Sequence, residues 1–579
     1  MSKGEIAPQP AGGTAGTVES KGLKGGALGL VSSVVVGMAS TAPAYSLAAT
    51  LGLIVASGGA LLSGVKAPAI VLIAFIPMYL IAVAYQELNK AEPDCGTTFT
   101  WASRAFGPIV GWLGGWGIIA ADVIVMANLA QIAGAYSFTF VGDLGWHSVA
   151  GLASSTLWST MAGVVWIAVM TYICYRGIEV SARLQYVLLS IEVVVLIVLS
   201  VVALIKVYTH SAEDYSLLPQ LSWFWPGGLD FGTVIAPALL TTIFIYWGWD
   251  TAVACNEESD DPGRTPGRAA VISTFLLLAT YAMVTVAVVA FAGVGTEGIG
   301  LGNSKNSADV FAAIGPNLFG DSFFGHVGLL LLSASILTSA SASTQTTILP
   351  TARTTLSMGV YKALPDSFAR IHRRYLTPSV STVLMGVVSA VFYVLFTLIS
   401  KNLLTALIGS VGLMIAFYYG LTGFACVWFY RKTLTGSTRD FVMRGVAPLL
   451  GGLVLSVVFI YGLIQYAKPS WLSDSEGNNV TIFGFGAVAV VGIGALVLGV
   501  ILMVVWRFAA PGFSPGFFSG RTLPRRSHDL LLEPVTAATP HIGLPDSGDM
   551  PTVVSKDLSN LPAGQTAVNP DTGEEFTKT

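Results

Sequence analysis

The chain has 579 residues, of which 53% are hydrophobic and only 11% charged, with a formal net charge of -3. Soluble domains carry a charged share of about 25%, so this composition excludes a soluble fold and places the chain among membrane proteins. The small net charge carries no information about partners, because in such a protein the sign is sorted by side of the membrane.

Apolar stretches long enough to cross a bilayer, about 20 residues each, fall near 27–55, 67–86, 109–141, 157–174, 181–206, 231–256, 269–294, 325–350, 378–400, 403–430, 446–467 and 481–506. The fold class expected is therefore an all-α membrane protein with twelve transmembrane helices. Residues 1–26 are polar, read as a disordered tail, and lack the short apolar core of a cleavable signal. Residues 507–579 form a second tail, rich in Pro, Gly, Ser and Asp, with too little apolar content to build a core. Its Arg521, Arg525 and Arg526 are read as solvated or as lying against the membrane. All but five of the 29 Lys and Arg (Lys66, Lys206, Lys305, Lys401 and Lys468) fall on the side that carries the N-terminus. Cytoplasmic loops retain positive charge, so both termini are expected in the cytoplasm of a multi-pass cell-membrane protein.

The first span reads "VVVGMASTAPAYSLAA" over 34–49. Proline lacks a backbone donor but suits the first position of a helix, and Ser40 or Thr41 before it suits an N-cap. Two half-helices are expected, with an opened segment at Gly37, Met38, Ala39, Ser40 and Thr41. Loops at 207–230 and 295–324 are longer than a turn requires, and Trp223 and Trp225 are read as interface anchors. The sixth span breaks in the same way at "YWGWD", that is Tyr246, Trp247, Gly248, Trp249 and Asp250. Irregular backbone at membrane depth survives only where it is buried in protein or lines a polar cavity. Two such breaks, each opening a five-span half, point to inverted repeats with a substrate site at the midplane. Repeat one covers about 27–206 and repeat two about 231–430, with two extra spans over 446–506. Free N–H groups around Thr41 to Ala44 would suit a carboxylate, and free carbonyls near Val36 to Met38 and Tyr246 to Trp249 an ammonium. Two ordinary Pro and Gly kinks are the bland alternative.

Intramembrane acids are costly and mark function. Asp122, Glu192 and Asp250 lie in spans with no deep Lys or Arg to neutralise them. They must be protonated, hydrated or paired with a bound cation. Asp122 is read either as the partner of a cationic substrate's distal amine or as part of a polar patch with Asn128 and Gln131. Glu192 is read as a proton carrier or as a structural acid. Glu257 and Glu258, after the sixth span, are read as inner-gate partners of Arg176 or Arg183, or as solvated. The loop beginning "TARTTLSMGVYKALPDSFARIHRRYLTP" at 351 is expected to hold a short amphipathic interface segment. The four cysteines show neither a disulfide framework nor a CxxC pattern, so no metal site is expected. The six histidines lie in loops, span ends or tails and form no haem pair, and no phosphate-binding Gly-rich Lys motif is present.

"YQELNKAEPDCGTTFTWASRAFGPIVGWLGGW" (85–116), "NEESDDPGRTPGRAAV" (256–271) and "TARTTLSMGVYKALPDSFARIHRRYLTPSVST" (351–382) resemble segments of the amino acid–polyamine–organocation (APC) permeases, over about 25–506. The resemblance implies the five-plus-five inverted-repeat (LeuT-like) fold with broken helices one and six. It also implies uptake or exchange of amino acids or amines. The family's Gly-x-Gly in span one stands here as "GMAST". Where family members often bear a lysine in span five, this chain has Glu192, which either carries the coupling proton or allows a cation site completed by Ser335, Thr338 and Ser339.

The expected function is thus a secondary active transporter of amino acids or amines, with a polyamine or cationic amine carrier as the alternative. A nutrient sensor of the same fold is the second class. The partners expected are a small-molecule substrate, a coupling proton or sodium ion and the lipid bilayer. No cofactor, enzyme activity or nucleic acid is expected.

Overall fold

The computed structural model describes residues 21–56, 64–306, 309–399, 401–472, 478–509, 514–520 and 522, with three short strands near the C-terminus. Arg521, Arg525 and Arg526 lie outside the described residues. The helices run α1 Leu30–Ser40, α2 Pro43–Ala56, α3 Ala67–Ala91, α4 Thr98–Phe106, α5 Pro108–Asp143, α6 Thr156–Arg176, α7 Ile178–Tyr208, α8 Ala236–Ile245, α9 Thr251–Ala254, α10 Thr265–Ala292, α11 Val310–Phe319, α12 Phe323–Val360, α13 Ser379–Ile399, α14 Lys401–Tyr430, α15 Ala447–Tyr466, α16 Ala487–Ala509 and α17 Ser514–Phe518. Eleven helical stretches among the described residues are long and apolar enough to cross a membrane. The stretch expected as span six is not among them, because it is divided into α8, a turn and the four-residue α9.

Local sequence explains both interruptions. Helix α1 stops at Ser40, Ala42 takes a φ of +46°, and Pro43 opens α2. Helix α8 stops at Ile245, and Gly248 adopts a φ of +122°, a region that strongly favours glycine. A large apolar core runs through the bundle, from Val36 and Tyr45 to Val488, with smaller clusters beside it such as that of Met38, Ala39, Leu189 and Ala342. Trp223, expected at the interface, is buried in that core, whereas Trp225 is 71% exposed.

Two boundaries differ from expectation. Residues 21–28 are packed, with Leu23 and Leu28 buried. Helix α12 continues ten residues past the expected end of span eight, to Val360, and makes 38 residues in all. At 1.5 Å per residue that is roughly 57 Å, far more than the ~30 Å apolar thickness of a bilayer. Near the C-terminus, Val553–Val554 pairs in parallel with Thr566–Val568, which pairs antiparallel with Glu575–Thr577.

Candidate functional site

The two interruptions meet. A Cβ added to Gly248 would lie only 2.8 Å from the Ser40 carbonyl, so close approach requires glycine there, and one added to Gly37 would lie 3.3 Å from the Trp249 carbonyl, a tight contact. Ser40 Oγ and Thr251 Oγ1 share a hydrogen bond of 2.9 Å across the junction. Gly37, Met38, Ala39, Ser40, Thr41, Tyr246, Trp247, Gly248, Trp249 and Asp250 are all buried there. Many of the freed backbone groups are already satisfied. Met38 O accepts from Thr41, Ser40 O from Ser343 Oγ, Thr41 O from Ser46 Oγ, and Ile245 O from Tyr281 at 2.5 Å.

The start of α2 has a partner that its own sequence does not announce. The Ala44 N–H, expected to face a ligand carboxylate, donates to Glu192 Oε1 of α7 at 2.7 Å. Ser339 Oγ of α12 donates to the same oxygen at 2.7 Å, and the Tyr45 N–H donates to Ser339 Oγ at 3.1 Å. Glu192 is thus an N-cap supplied in trans, a carboxylate placed where the helix presents partial positive charge. Its Oε2 is buried and has no hydrogen-bond partner among the described residues. Of the hydroxyls grouped with it, only Ser339 reaches Glu192. Ser335 and Thr338 donate to carbonyls of their own helix.

Asp250 and Asp122 sit in hydroxyl surroundings. Tyr418 O–H donates to Asp250 Oδ2 at 3.0 Å and accepts from the Trp247 indole N–H. Thr351 Oγ1 donates to Asp122 Oδ2 at 2.5 Å, so Asp122 meets α12. Trp249 is enclosed by Tyr85 and Tyr419, with ring centroids 5.2 and 5.1 Å away. Among the described residues neither acid has a Lys or Arg within ion-pair distance.

On the N-terminal face the acids after α9 find bases other than the expected ones. Glu258 forms a bidentate pair with Arg353, at 2.6 Å to Nε and 2.8 Å to Nη2, and both side chains are buried. Glu257 pairs with Lys21, whose ammonium also lies 2.9 Å from Asp94. Arg176 is instead exposed and rests on the Tyr172 and Tyr375 rings, and no pairing joins Arg183 to Glu257 or Glu258. Arg353, expected in a loop after span eight, sits instead in the continuation of α12 beyond residue 350.

Residues 21–28 form a strap across this face. Ala27 and Leu28 N–H groups donate to Glu258 O, and Asp260 N–H donates to Leu28 O. Asp94 also accepts from Tyr361, Ser357 and the Gly96 N–H. Burial pushes the Asp94 carboxyl up, but Lys21 and these donors overcome it and hold it well below the usual carboxylate range. Burial likewise works against the Lys21 ammonium, yet Asp94 and Glu257 hold its pKa above the ordinary value. Asp94, Cys95 and Glu257 bring potential metal-ligand atoms within 4.8 Å of one another, and the Lys21 ammonium meets both carboxylates of that cluster. All four cysteines are buried and unpaired.

A family model described as amino acid permease matches residues 28–488. An uncharacterized transporter of Mycobacterium tuberculosis is 28% identical over 63% of this chain and 72% of its own length. The branched-chain amino acid permease BcaP of Bacillus subtilis is 24% identical over 71% of this chain and 83% of its own. Among solved structures, MhsT in complex with L-phenylalanine matches in fold, with a TM-score of 0.53 at 13% identity, covering 74% of this chain and 98% of that one.

Proposed function

Because this chain belongs to the amino acid permease family, we propose that it is a secondary active transporter that imports or exchanges amino acids or related amines across the cytoplasmic membrane, coupled to protons. Substrate binds at the junction of the two interrupted helices, and the five-plus-five inverted repeat alternates access to it. The N-terminal face is the cytoplasmic one, in keeping with the distribution of Lys and Arg. Lys21, Arg353, Glu257 and Glu258 close that face when the site opens to the other side.

The observation that carries the coupling is the Glu192 cap on α2. Ionised, Glu192 ties α2 to α7 and α12 through a charge-assisted bond at a helix N-terminus. A proton on its unpartnered Oε2 removes the charge and loosens that tie, so proton binding biases the position of α1 and α2. The test is uptake of labelled amino acids and amines into proteoliposomes under an imposed proton or sodium gradient. A proton gradient is expected to drive concentrative uptake by the wild type. Glu192→Gln is expected to keep exchange and lose concentrative uptake; wild-type accumulation by this variant would remove Glu192 from the coupling.

Asp122 and Asp250 favour a second reading, a carrier of cationic amines, because each is buried beside a hydroxyl donor and, among the described residues, meets no lysine or arginine. An amine end bound between them would neutralise charge that no protein base offsets. Asp122→Asn should then abolish uptake of putrescine and basic amino acids and spare neutral ones. Equal loss of both would return Asp122 to a structural role.

A further inference from the structure

An apolar groove runs down the outside of the bundle between α6 and α13. Its inner part, about 470 Å³, is lined by Thr171, Tyr175, Gly386 and Val387 among others. A neighbouring hollow of about 430 Å³ shares Tyr175, Val383 and Val387 and reaches Ser379. From Ser379 to Ala390 the groove follows α13 for roughly 16 Å, about half of the ~30 Å apolar thickness of a bilayer. It is therefore one leaflet deep.

The end of the groove on the N-terminal face is built and basic. Residues 371–378 fold into a tight hairpin, with Ile371 bridged to Pro378 and the His372 N–H donating to Thr377 O at 2.9 Å. Thr377 Oγ1 donates to Tyr175 O at 2.9 Å, which fastens the hairpin to the end of α6. The His372 ring stacks on Tyr375 at 4.6 Å and meets Tyr175 edge-on at 5.2 Å. Tyr375 then carries two guanidinium groups at once, Arg176 with Cζ 5.2 Å from the ring centroid and Arg374 at 5.6 Å. Arg176 Nη1 also donates to the Tyr172 hydroxyl at 2.8 Å. Among the described residues neither arginine has a carboxylate partner, and Glu179, the nearest acid in sequence to Arg176, is paired with Lys24.

Two like charges held around one ring, with no acid to balance them, at the mouth of an apolar groove one leaflet deep describe an amphiphile with an anionic head. We propose that this groove binds a membrane phospholipid with an anionic headgroup, its phosphate on Arg176 and Arg374 and one acyl chain along Val383 and Val387. Charge complementarity favours lipid over a second copy of this chain. A two-fold contact through the same patch would bring arginines toward arginines.

The test is native mass spectrometry of the full chain in mild detergent, titrated with phosphatidylglycerol or with phosphatidylcholine of the same acyl chains. Retention of phosphatidylglycerol over phosphatidylcholine by the wild type is the expected result. Arg176→Gln with Arg374→Gln should weaken phosphatidylglycerol binding about 30-fold, the sum expected of two interfacial arginines. Val383→Trp, which fills the groove and leaves both charges, should reduce retention of either lipid. Arg431→Gln removes another exposed arginine that lies over a ring, Trp428, and should change nothing. Equal retention of the two lipids by the wild type, or undiminished phosphatidylglycerol binding by the double variant, would overturn the proposal. So would a stable dimer that Val383→Trp dissociates, because a second copy would then occupy the groove.

Discussion

On the N-terminal face Arg353 meets Glu258, Lys21 meets Asp94 and Glu257, Arg104 meets Glu92, and Arg439 and Arg444 both meet Glu87. On the opposite face three lysines end on neutral oxygens: Lys66 on Gly227 O, Lys206 on Asn317 O, and Lys468 on Gln465 Oε1. Among the described residues no ion pair joins two elements there. Under the proposed alternating access, the difference bears on how each end opens. A buried ion pair is costly to strip of one partner but inexpensive to separate into water, where both charges are hydrated. A face closed by such pairs therefore has two well-defined states, paired and closed or wet and open. Among the described residues the opposite face has no comparable ion pair and is held by packing and by single hydrogen bonds, such as those of its lysines and that from Tyr136 to Asp309 Oδ2.

Breaking the Arg353 pair is the sharpest way to test this contrast. Arg353→Met leaves Glu258 buried without its cation, and the expected loss is about 3–5 kcal/mol of stability, read as a fall in thermal unfolding temperature. Combining it with Glu258→Leu should restore much of that loss, because an apolar pair of similar size often replaces a buried ion pair at little cost. If the single variant unfolds at the wild-type temperature, the latch is not an energetic feature. Lys21→Met should cost less, about 1–3 kcal/mol, since Asp94 keeps its bonds from Tyr361, Ser357 and Gly96. Its clearer signature is faster hydrogen exchange over residues 21–28, and unchanged protection there would show that the strap does not depend on Lys21.

These two residues also mark where the sequence stops being legible. The interruptions at Pro43 and Gly248 could be read because each needs a residue with special backbone chemistry, and Glu192 because an uncompensated intramembrane acid stands out. Its partner could not be read, since the Ala44 N–H has no side-chain signature and Ser339 is one of many hydroxyl residues in α12. Arg353 was hidden because "TARTT" has the composition of a loop. The helix continues there because buried hydroxyls bond back to their own helix, as Thr355 does to Thr351 O and Thr346 to Ala342 O, so polar residues do not end it. Lys21 lies in a segment whose composition reads as tail, and partners distant in sequence, among them Asp94, Glu257, Glu258 and Asp260, order it. The pairing of Arg176 with Tyr375 across some 200 positions is equally non-local.

Smaller effects sharpen the contrast from the other side. Lys206→Met removes only a bond from a partly exposed ammonium to the Asn317 carbonyl, and stability should stay within about 0.5 kcal/mol of wild type. A loss of several times that size would mean that the opposite face is latched as well. The smallest expected effect is that of pH on the strap. Asp94 has a depressed pKa in the folded protein, so its contribution is complete above the unfolded value of about 3.9 and fades only as pH falls below it. Lys21 has a raised pKa, so its contribution is complete below the unfolded value of about 10.4 and fades only above it. Between pH 5 and pH 8 neither group changes charge. Once intrinsic exchange rates are corrected for pH, hydrogen-exchange protection of residues 21–28 should therefore be constant across that range. Transport that varies with pH over the same interval would then have to draw its dependence from elsewhere, with Glu192 the first position to substitute. Protection that follows transport as pH changes would instead make the strap itself the titrating element and remove the need for a coupling acid inside the bundle.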